Sequence, residues 1–268
     1  MASRLDTTFA ALRLSGRKAF VAYICAGDPS LEETLENVKT LEACGVDVIE
    51  LGLPFSDPLA DGIVNQMAAQ RALDAGADMG GVIALIRSIR EVTQIPLVLF
   101  TYLNPVYAYG FKRFHADAAA AGADGVLLLD LPPDEALLNE ELQSGPGLQR
   151  ICLIAPTTPE ARIHSLAAAA EGFIYYISRE GVTGAQTTLA SNIASQVQII
   201  KASGTTAPVC VGFGISTPDQ AREVAQAADG VVVGSAIVKI IQTHGNQPGA
   251  QRELAAFVKP LVDAVKSV

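Results

Sequence analysis

The sequence predicts an α/β fold, a (β/α)8 TIM barrel that forms a single domain over residues 1–268 and carries a short extra helix at its N-terminus. Three observations predict it. Eight short apolar runs are spaced along the chain, most are apolar at every position, and amphipathic helical patterns fill the intervals. Continuous apolar runs are typical of strands buried on both faces of a parallel sheet. Open doubly wound sheets usually have fewer strands, so they come second.

The predicted strands are named first to eighth in chain order. They are Ala19–Ala26, Val48–Leu53, Pro96–Tyr102, Gly125–Leu131, Arg150–Ala155, Phe173–Ser178, Pro208–Phe213 and Gly230–Gly234. The first run follows a basic stretch, as in a signal peptide, but it is short, begins late and ends in a turn, so we interpret it as a strand. No run reaches the roughly 20 apolar residues that a membrane helix needs.

Helix signals lie between these runs. Ser30 and Glu33 have the spacing of a capping box, and Gly45 ends the helix that they open. Thr217 followed by Pro218 gives an N-cap with a proline in the first turn. The segment that precedes the first strand, RLDTTFAALRLSG, is predicted to form the extra helix and to plug the barrel floor.

Composition excludes several classes of partner and site. The net charge is −9 without a compensating basic block, which disfavours binding to nucleic acid or anionic membranes. The four cysteines are scattered without a CxxC pair, as expected of reduced thiols in a cytoplasmic protein. The three histidines lie far apart, so we predict no metal site.

Carboxylates cluster around the end of the second predicted strand. Glu50 lies inside an apolar run, and Asp57 and Asp61 follow in the next loop. In such barrels the reacting residues lie at the C-terminal ends of strands. Glu50 is either an interior acid satisfied by hydrogen bonds or a proton-transfer group whose pKa is raised by its apolar setting. Asp61 taken alone would more often be a turn residue.

Glycines at the ends of the seventh and eighth strands predict a phosphate site. Gly212-Phe213-Gly214 and Gly234-Ser235 stand there, and the second pair opens a helical segment. Glycines let the backbone approach a ligand, and a helix N-terminus offers free N–H groups. The alternative is that these glycines only make tight turns. Two carboxylates opposite a phosphate cradle suggest proton transfer on a phosphorylated small molecule.

Five motifs together match one family. They occur in that family's order and read ELGLPFSDPLADG followed by Q, YLNPVYAYG, ISREGVTG, GFGIS and GSAIVKII. The chain resembles the tryptophan synthase alpha subunit from about residue 4 to the C-terminus. The resemblance implies a lyase that cleaves indole-3-glycerol phosphate to indole and glyceraldehyde 3-phosphate by a retro-aldol step in tryptophan biosynthesis, with no cofactor in this chain.

The resemblance also implies roles for individual residues. Glu50 matches the general acid/base, and Asp61 the acid that accepts a hydrogen bond from the indole N–H. Five residues are expected to contact substrate: Tyr23, Tyr102, Leu128, Tyr176 and Thr183. Five are expected at the phosphate: Gly184, Phe213, Gly214, Gly234 and Ser235. Thr183 and Gly184 fall in the family's mobile loop after the sixth strand.

A partner is implied as well. The family's alpha subunit works with a beta subunit that holds pyridoxal phosphate, in an alpha2beta2 complex, and indole is channelled to it. Residues Asp57, Pro58, Asn104 and Pro105 match the partner-facing segments. This chain departs from many relatives in having Ile63-Val64-Asn65 where a proline follows the LADG motif, and Arg179-Glu180 before the GVTG loop. These changes bear on loop behaviour and partner activation more than on the reaction.

Two alternative functions are also compatible with these residues. One is a stand-alone lyase that shares the same residues and releases free indole. The other is a non-catalytic barrel that binds a phosphosugar or serves as a regulatory subunit, although such a protein has no need of a buried acid. A different phosphosugar isomerase barrel would keep the glycine cradle but not the PFSDPLADG motif.

Overall fold

The computed structural model describes residues 3–132, 135, 147–178, 186–212 and 214–268, with only the backbone of 186–192. Within them, nine parallel strands form one sheet in the order β5-β4-β3-β2-β1-β9-β8-β7-β6. The strands are β1 Ala19–Cys25, β2 Val48–Gly52, β3 Leu97–Thr101, β4 Gly125–Leu128, β5 Gln149–Arg150, β6 Cys152–Ile154, β7 Ile174–Ile177, β8 Val209–Gly212 and β9 Gly230–Val233.

The sheet is a nearly closed barrel because its two ends are neighbours in sequence. Only Ile151 separates β5 from β6, and these two strands stand at opposite ends of the strand order. The fifth predicted strand therefore exists as two short pieces, of which β5 pairs with β4 and β6 pairs with β7. Strand order and direction confirm the predicted barrel.

Eleven helices are present in the described parts of the chain. They are α1 Arg4–Leu14, α2 Leu31–Ala43, α3 Ile63–Asp74, α4 Met79–Val92, α5 Leu103–Tyr109, α6 Phe111–Ala121, α7 Glu160–Ala169, α8 Gln186–Ala202, α9 Pro218–Ala227, α10 Ser235–His244 and α11 Ala250–Lys266. Both predicted N-caps are found, but only the one at Thr217 is a complete capping box. Ser30 Oγ accepts from the Glu33 N–H at 3.1 Å, and Thr217 with Gln220 forms a complete capping box. None of the described helices is both long and apolar enough to cross a membrane.

Helix α1 closes the N-terminal end of the barrel. Its buried residues Leu5, Phe9 and Leu12 join an interior cluster that includes Val48 and Phe173. The Phe9 and Phe173 rings lie 5.7 Å apart. Each fully buried Leu or Phe side chain stabilises the fold by about 1.5–3 kcal/mol relative to exposure, so this helix is part of the core.

Side chains alternate between an interior apolar layer and an outer one along most strands, with the polar two-residue β5 as an exception. The interior cluster holds Val48 of β2, whereas Ile49 and Leu51 belong to the larger cluster between the strands and the helices. Because successive strand residues point to opposite faces, this alternation directs Glu50 into the barrel. By the same alternation, Tyr175 packs against the interior cluster and Tyr176 lies in the outer layer.

Candidate active site

Glu50 is a fully buried acid in the barrel interior. It lies in register with Tyr23 of β1 and Val98 of β3. The residue is 0% exposed, and neither carboxylate oxygen has a hydrogen-bond partner among the described residues. Burial raises the pKa of Glu50 to about 8. The side chain is therefore predominantly a neutral acid at pH 7, able both to give a proton and to take one back.

Asp61 is held in the loop between β2 and α3 by a set of short contacts. Its backbone N–H donates to Pro58 O at 3.0 Å, and Gln66 Nε2 donates to its backbone carbonyl at 2.8 Å. The Tyr102 hydroxyl donates to Asp61 Oδ2 at 2.8 Å. Burial raises the pKa of Asp61, while hydrogen bonds from Tyr102 and Asn65 act in the opposite direction. The loop thus presents a half-buried carboxylate in a fixed orientation.

Tyr102 contacts this loop twice. Besides donating to Asp61, its hydroxyl accepts from the Ala60 N–H at 3.0 Å. Its ring lies tilted against Phe55, with the centroids 5.4 Å apart. Tyr102, predicted as a substrate contact, is therefore also the residue that orients Asp61 from the end of β3.

Two buried tyrosines have pKa values that both acids raise. Burial raises the pKa of Tyr23, and the charges of Cys25, Asp61 and Glu50 raise it further. Burial likewise raises the pKa of Tyr175, with further contributions from Glu50, Cys210 and Asp61. Both carboxyl groups act on both phenols, although the phenols lie on β1 and β7. Both phenols are therefore within electrostatic range of both acids.

Glycines make room for these tyrosines. A Cβ atom on Gly52 would collide with the Tyr23 hydroxyl, and one on Gly212 would collide with the Tyr175 hydroxyl. The Tyr23 ring also meets Phe100 edge-on, with the centroids 5.0 Å apart. Gly52 and Gly212 are therefore needed for the close approach of aromatic side chains to neighbouring strands.

The predicted phosphate cradle lies beside β1. Strands β8 and β9 are adjacent, and β9 pairs with β1. Gly234 is the N-cap of α10 without a side-chain cap bond, and Ser235 is the first helical residue. Gly214 has a φ of 64°, the left-handed region that favours glycine. Free N–H groups of α10 thus stand at the same end of the barrel as Asp61.

Some predicted residues lie elsewhere. Tyr176 packs in the outer layer, and Leu128 packs against that layer too. The interior positions next to them belong to Tyr175 and Leu127. The geometry therefore favours Tyr175 and Leu127 over Tyr176 and Leu128 as residues that face a ligand. Thr183, Gly184 and Phe213 lie outside the described residues.

The predicted partner-facing residues lie on a surface that is partly apolar. Asp57 and Asn104 are exposed, and Pro58 and Pro105 are half-buried. Three large apolar side chains on the same loop and helices are mostly exposed to solvent: Leu59 is 91% exposed, Ile63 67% and Tyr107 65%. Contiguous exposed apolar area marks interaction surfaces, and Leu59 and Ile63 lie on one loop and the start of the helix that follows it.

Among the described residues, no group of three or more His, Cys, Asp or Glu side chains is arranged to hold a metal ion. The Cys210 thiol lies in the interior cluster and the Cys25 thiol packs with Tyr23 and alanines of α3, and burial raises the pKa of both. The described site therefore consists of carboxyl, phenol and backbone groups.

Comparison with known proteins gives one consistent result. A family model described as tryptophan synthase alpha chain matches residues 9–266. The chain is 49% identical over 266 residues to the tryptophan synthase alpha chain of Geotalea uraniireducens, covering 99% of each chain. It is 48% identical over 263 residues to that of Geobacter sulfurreducens, covering 98% of this chain and 99% of the relative.

Solved structures agree with this. The crystal structure of tryptophan synthase subunit alpha from Legionella pneumophila str. Paris superposes with a TM-score of 0.90 at 36% identity, covering 100% of both chains. A chain of tryptophan synthase from Mycobacterium tuberculosis in an open form superposes with a TM-score of 0.87 at 33% identity, covering 99% of this chain and 100% of that one.

Proposed function

The chain belongs to the tryptophan synthase alpha chain family, and from that premise we propose how it cleaves indole-3-glycerol phosphate to indole and glyceraldehyde 3-phosphate. In this proposal Glu50 is the general acid/base and Asp61 binds the indole N–H. The observation that carries the assignment is the state of Glu50, an acid that is 0% exposed, faces the barrel interior and has no hydrogen-bond partner in the described part of the chain.

The proton transfers balance on a single carboxyl group. Neutral Glu50 donates its proton to C3 of the indole ring, which gives a ring cation. The carboxylate then takes the proton of the glyceryl hydroxyl next to that carbon. The hydroxyl oxygen forms the aldehyde carbonyl, the bond to C3 breaks, and its electron pair restores the aromatic ring. A pKa of about 8 suits a group that must be protonated at the start and basic afterwards.

In the proposed mechanism Asp61 stabilises the cationic form of the indole ring. A carboxylate that accepts the ring N–H gains strength as the ring becomes positive, so it stabilises the transition state more than the bound substrate. The hydrogen bond from Tyr102 at 2.8 Å keeps Asp61 oriented and favours its ionised form. The phenol is therefore a positioning residue in the proposed mechanism.

The phosphate group is assigned to the ends of β8 and β9. Gly214, Gly234 and Ser235 supply a close backbone and the uncapped N-terminus of α10. Phe213 and Gly184 are assigned to the same site, and Thr183 to contact with Asp61 on loop closure, from the family resemblance alone. Local N–H dipoles suit a chain whose net charge of −9 gives no general attraction for phosphate.

A beta subunit is the proposed partner, in an alpha2beta2 complex, and pyridoxal phosphate would belong to that subunit. The proposed contact surface includes Asp57, Pro58, Asn104 and Pro105. Exposed Leu59 and Tyr107 lie on the same loop and helix and would be covered in the complex. The loop also carries Asp61, so partner binding acts directly on a segment that belongs to the site.

Incubation of the purified protein with indole-3-glycerol phosphate, followed by detection of indole, tests the proposal. We expect indole release from the wild type and almost none from Glu50→Gln. A protein that binds the substrate without releasing indole would be a binding barrel, and the proposal would fall. Equal rates with and without a beta subunit would favour a stand-alone lyase.

A further inference from the structure

Asn65 lies at the start of α3 with its carboxamide against Asp61. Its Nδ2 atom is 3.5 Å from Asp61 Oδ1. The opposite orientation of the amide would set Asn65 Oδ1 against a carboxylate oxygen, with no proton between two acceptors. The carboxylate therefore determines which end of the amide faces it, and Oδ1 is the end that receives no donor from Asp61.

This Oδ1 atom is buried and has no hydrogen-bond partner. Across the described residues, the buried side-chain oxygens in that state are the two of Glu50 and this one of Asn65. Buried polar atoms without partners are rare in folded proteins, and each needs an explanation. The three oxygens belong to the acid assigned to catalysis and to a side chain in contact with the second acid, whereas the buried nitrogens without partners in this part of the chain belong to Arg71 and His115.

The residue before Asn65 packs near the aromatic side chains of the site. Val64 and Phe100 both pack against the cluster that contains Tyr23. The Tyr102 hydroxyl already occupies Asp61 Oδ2. Asp61 Oδ1 has only the long contact from Asn65 Nδ2 at 3.5 Å, and Asn65 Oδ1 has no donor, so these two oxygens can each receive a donor from a ligand.

We propose that Asn65 is a further specificity-determining residue, whose Oδ1 atom is a second acceptor beside Asp61 for the ring N–H of the substrate. The inference rests on the proposed function, since it assumes an indole ring in this site. A neutral amide can accept this hydrogen bond without placing a second negative charge next to Asp61, which would favour protonation of the carboxylate. Both acceptors bind the ring more strongly when it becomes cationic.

Binding of two matched ring ligands tests this role without relying on turnover. Indole and benzothiophene have similar size, but sulfur replaces the N–H group in the second. The affinities of both for the wild type and for Asn65→Leu are measured by calorimetry. Gln70→Leu is the control, since Gln70 lies on the exposed side of the same helix and donates to Asp74. Thermal unfolding verifies that each variant is folded, and Asn65→Ala serves if Asn65→Leu is not.

The wild type should prefer indole by about tenfold or more, because a site built to accept a hydrogen bond rejects an analogue that lacks the donor. Asn65→Leu should lose most of that preference through weaker indole binding, with benzothiophene affinity unchanged, and Gln70→Leu should keep it. A merely structural role would weaken both ligands equally, and that result would overturn the inference. So would an unchanged preference in Asn65→Leu.

A parallel assay with indole-3-glycerol phosphate separates this inference from the proposed reaction. If no indole is released but the ring preference depends on Asn65, the proposed reaction fails and the role of Asn65 stands. If indole is released at the normal rate and the preference is independent of Asn65, the reverse holds.

Discussion

At the scale of single residues, the burial of Glu50 dominates the chemistry. A carboxyl group without partners in an apolar interior is costly when ionised, so the fold holds it neutral until a substrate supplies a donor or takes its proton. Tyr23, its partner in register, lies beside it with its hydroxyl over Gly52. The surroundings of Glu50 thus set its proton affinity, and its place in the alternation of β2 directs its side chain into the barrel.

Replacement of Glu50 by Gln should nearly abolish indole formation. The amide has the same shape but cannot donate and then retrieve a proton, and a positioned acid/base typically contributes about 10²–10⁴ in rate. Steady-state kinetics of the wild type and Glu50→Gln, with circular dichroism to verify folding, measure the effect. Retention of more than about a tenth of wild-type turnover would contradict the assigned role, since a loss of less than about tenfold falls short of the roughly hundredfold minimum expected.

The same residue predicts a pH dependence of stability. Burial raises the pKa of Glu50 from 4.5 to about 8, so between these values the folded protein holds a proton that the unfolded chain releases. Stability from this group is present below the unfolded pKa and falls as pH rises, by about 1.4 kcal/mol per pH unit within the window. Glu50→Gln should lack this contribution.

Urea unfolding of the wild type and Glu50→Gln at several pH values between 5 and 8 measures this difference. The variant's relative stability should increase steadily across the range, because only the wild type loses stability through this group. Parallel stability curves would show that Glu50 does not titrate in this window.

At the scale of elements, a buried ion pair anchors α3 to the loop after β1. Arg71 of α3 donates to Asp28 through Nε at 2.8 Å and through Nη2 at 2.7 Å. Asp28 is 2% exposed, and the Arg71 side chain is 28% exposed. Helix α3 begins two residues after Asp61. By anchoring α3, the ion pair therefore also fixes the C-terminal end of the loop that carries Asp61.

Asp28→Asn should therefore destabilise the protein by about 2 kcal/mol, since it leaves a half-buried guanidinium without its counter-charge; full burial would cost about 3–5 kcal/mol. The matched control is Glu36→Gln, which breaks the exposed pair with Lys39 on α2 and should cost at most about 0.5 kcal/mol. Denaturant unfolding gives both values. Equal losses of unfolding free energy in the two variants would mean that the Asp28–Arg71 pair stabilises the protein no more than an exposed ion pair does.

Strands and helices could largely be predicted from sequence, because apolar runs and capping residues are local signals. The switch of partner at Ile151 could not, since the apolar run continues through it and only tertiary pairing divides it. The sequence also could not tell whether Tyr175 or Tyr176 points into the barrel. Both faces of β7 are covered by apolar side chains, so the sequence lacks the alternation that separates inside from outside.

Site residues were predictable to different extents for a physical reason. Glu50 stands out because an acid inside an apolar strand is unusual, whereas Asp61 alone resembles a turn residue and is distinguished by the family motif. Asn65 gave no such signal, since an amide in the first turn of a helix is ordinary on the surface. Only its contact with Asp61 and its unpartnered Oδ1 atom distinguish it.

At the scale of the whole molecule, the two ends of the barrel differ in character. The N-terminal end is closed by α1, whose apolar residues are buried in the interior cluster. The C-terminal end carries the acids, the uncapped start of α10 and the exposed apolar residues Leu59 and Tyr107. A partner bound to that surface would therefore affect the site through the loop of Asp61, whereas one bound at the floor would not.

This arrangement predicts that activation by a beta subunit depends on Tyr107 while basal turnover does not. Tyr107 is 65% exposed on α5, the helix that also carries Asn104 and Pro105, and its hydroxyl is not in the Asp61 network. Tyr107→Ser removes apolar area from the proposed interface. We expect the basal lyase rate to stay within about twofold and the affinity for the beta subunit to fall about tenfold, as for an interface side chain worth about 1.4 kcal/mol.

Titration of wild type and Tyr107→Ser with a beta subunit, with the lyase rate as readout, gives the apparent affinity. Leu14→Ser is the control, since Leu14 is 89% exposed but lies at the end of α1, at the opposite end of the barrel. Because both variants lose one exposed apolar side chain, an equal effect would reflect general solubility rather than a docking surface. An activation curve for Tyr107→Ser that coincides with that of the wild type would remove α5 from the interface and leave the loop of Asp57 and Pro58 as the remaining proposed contact.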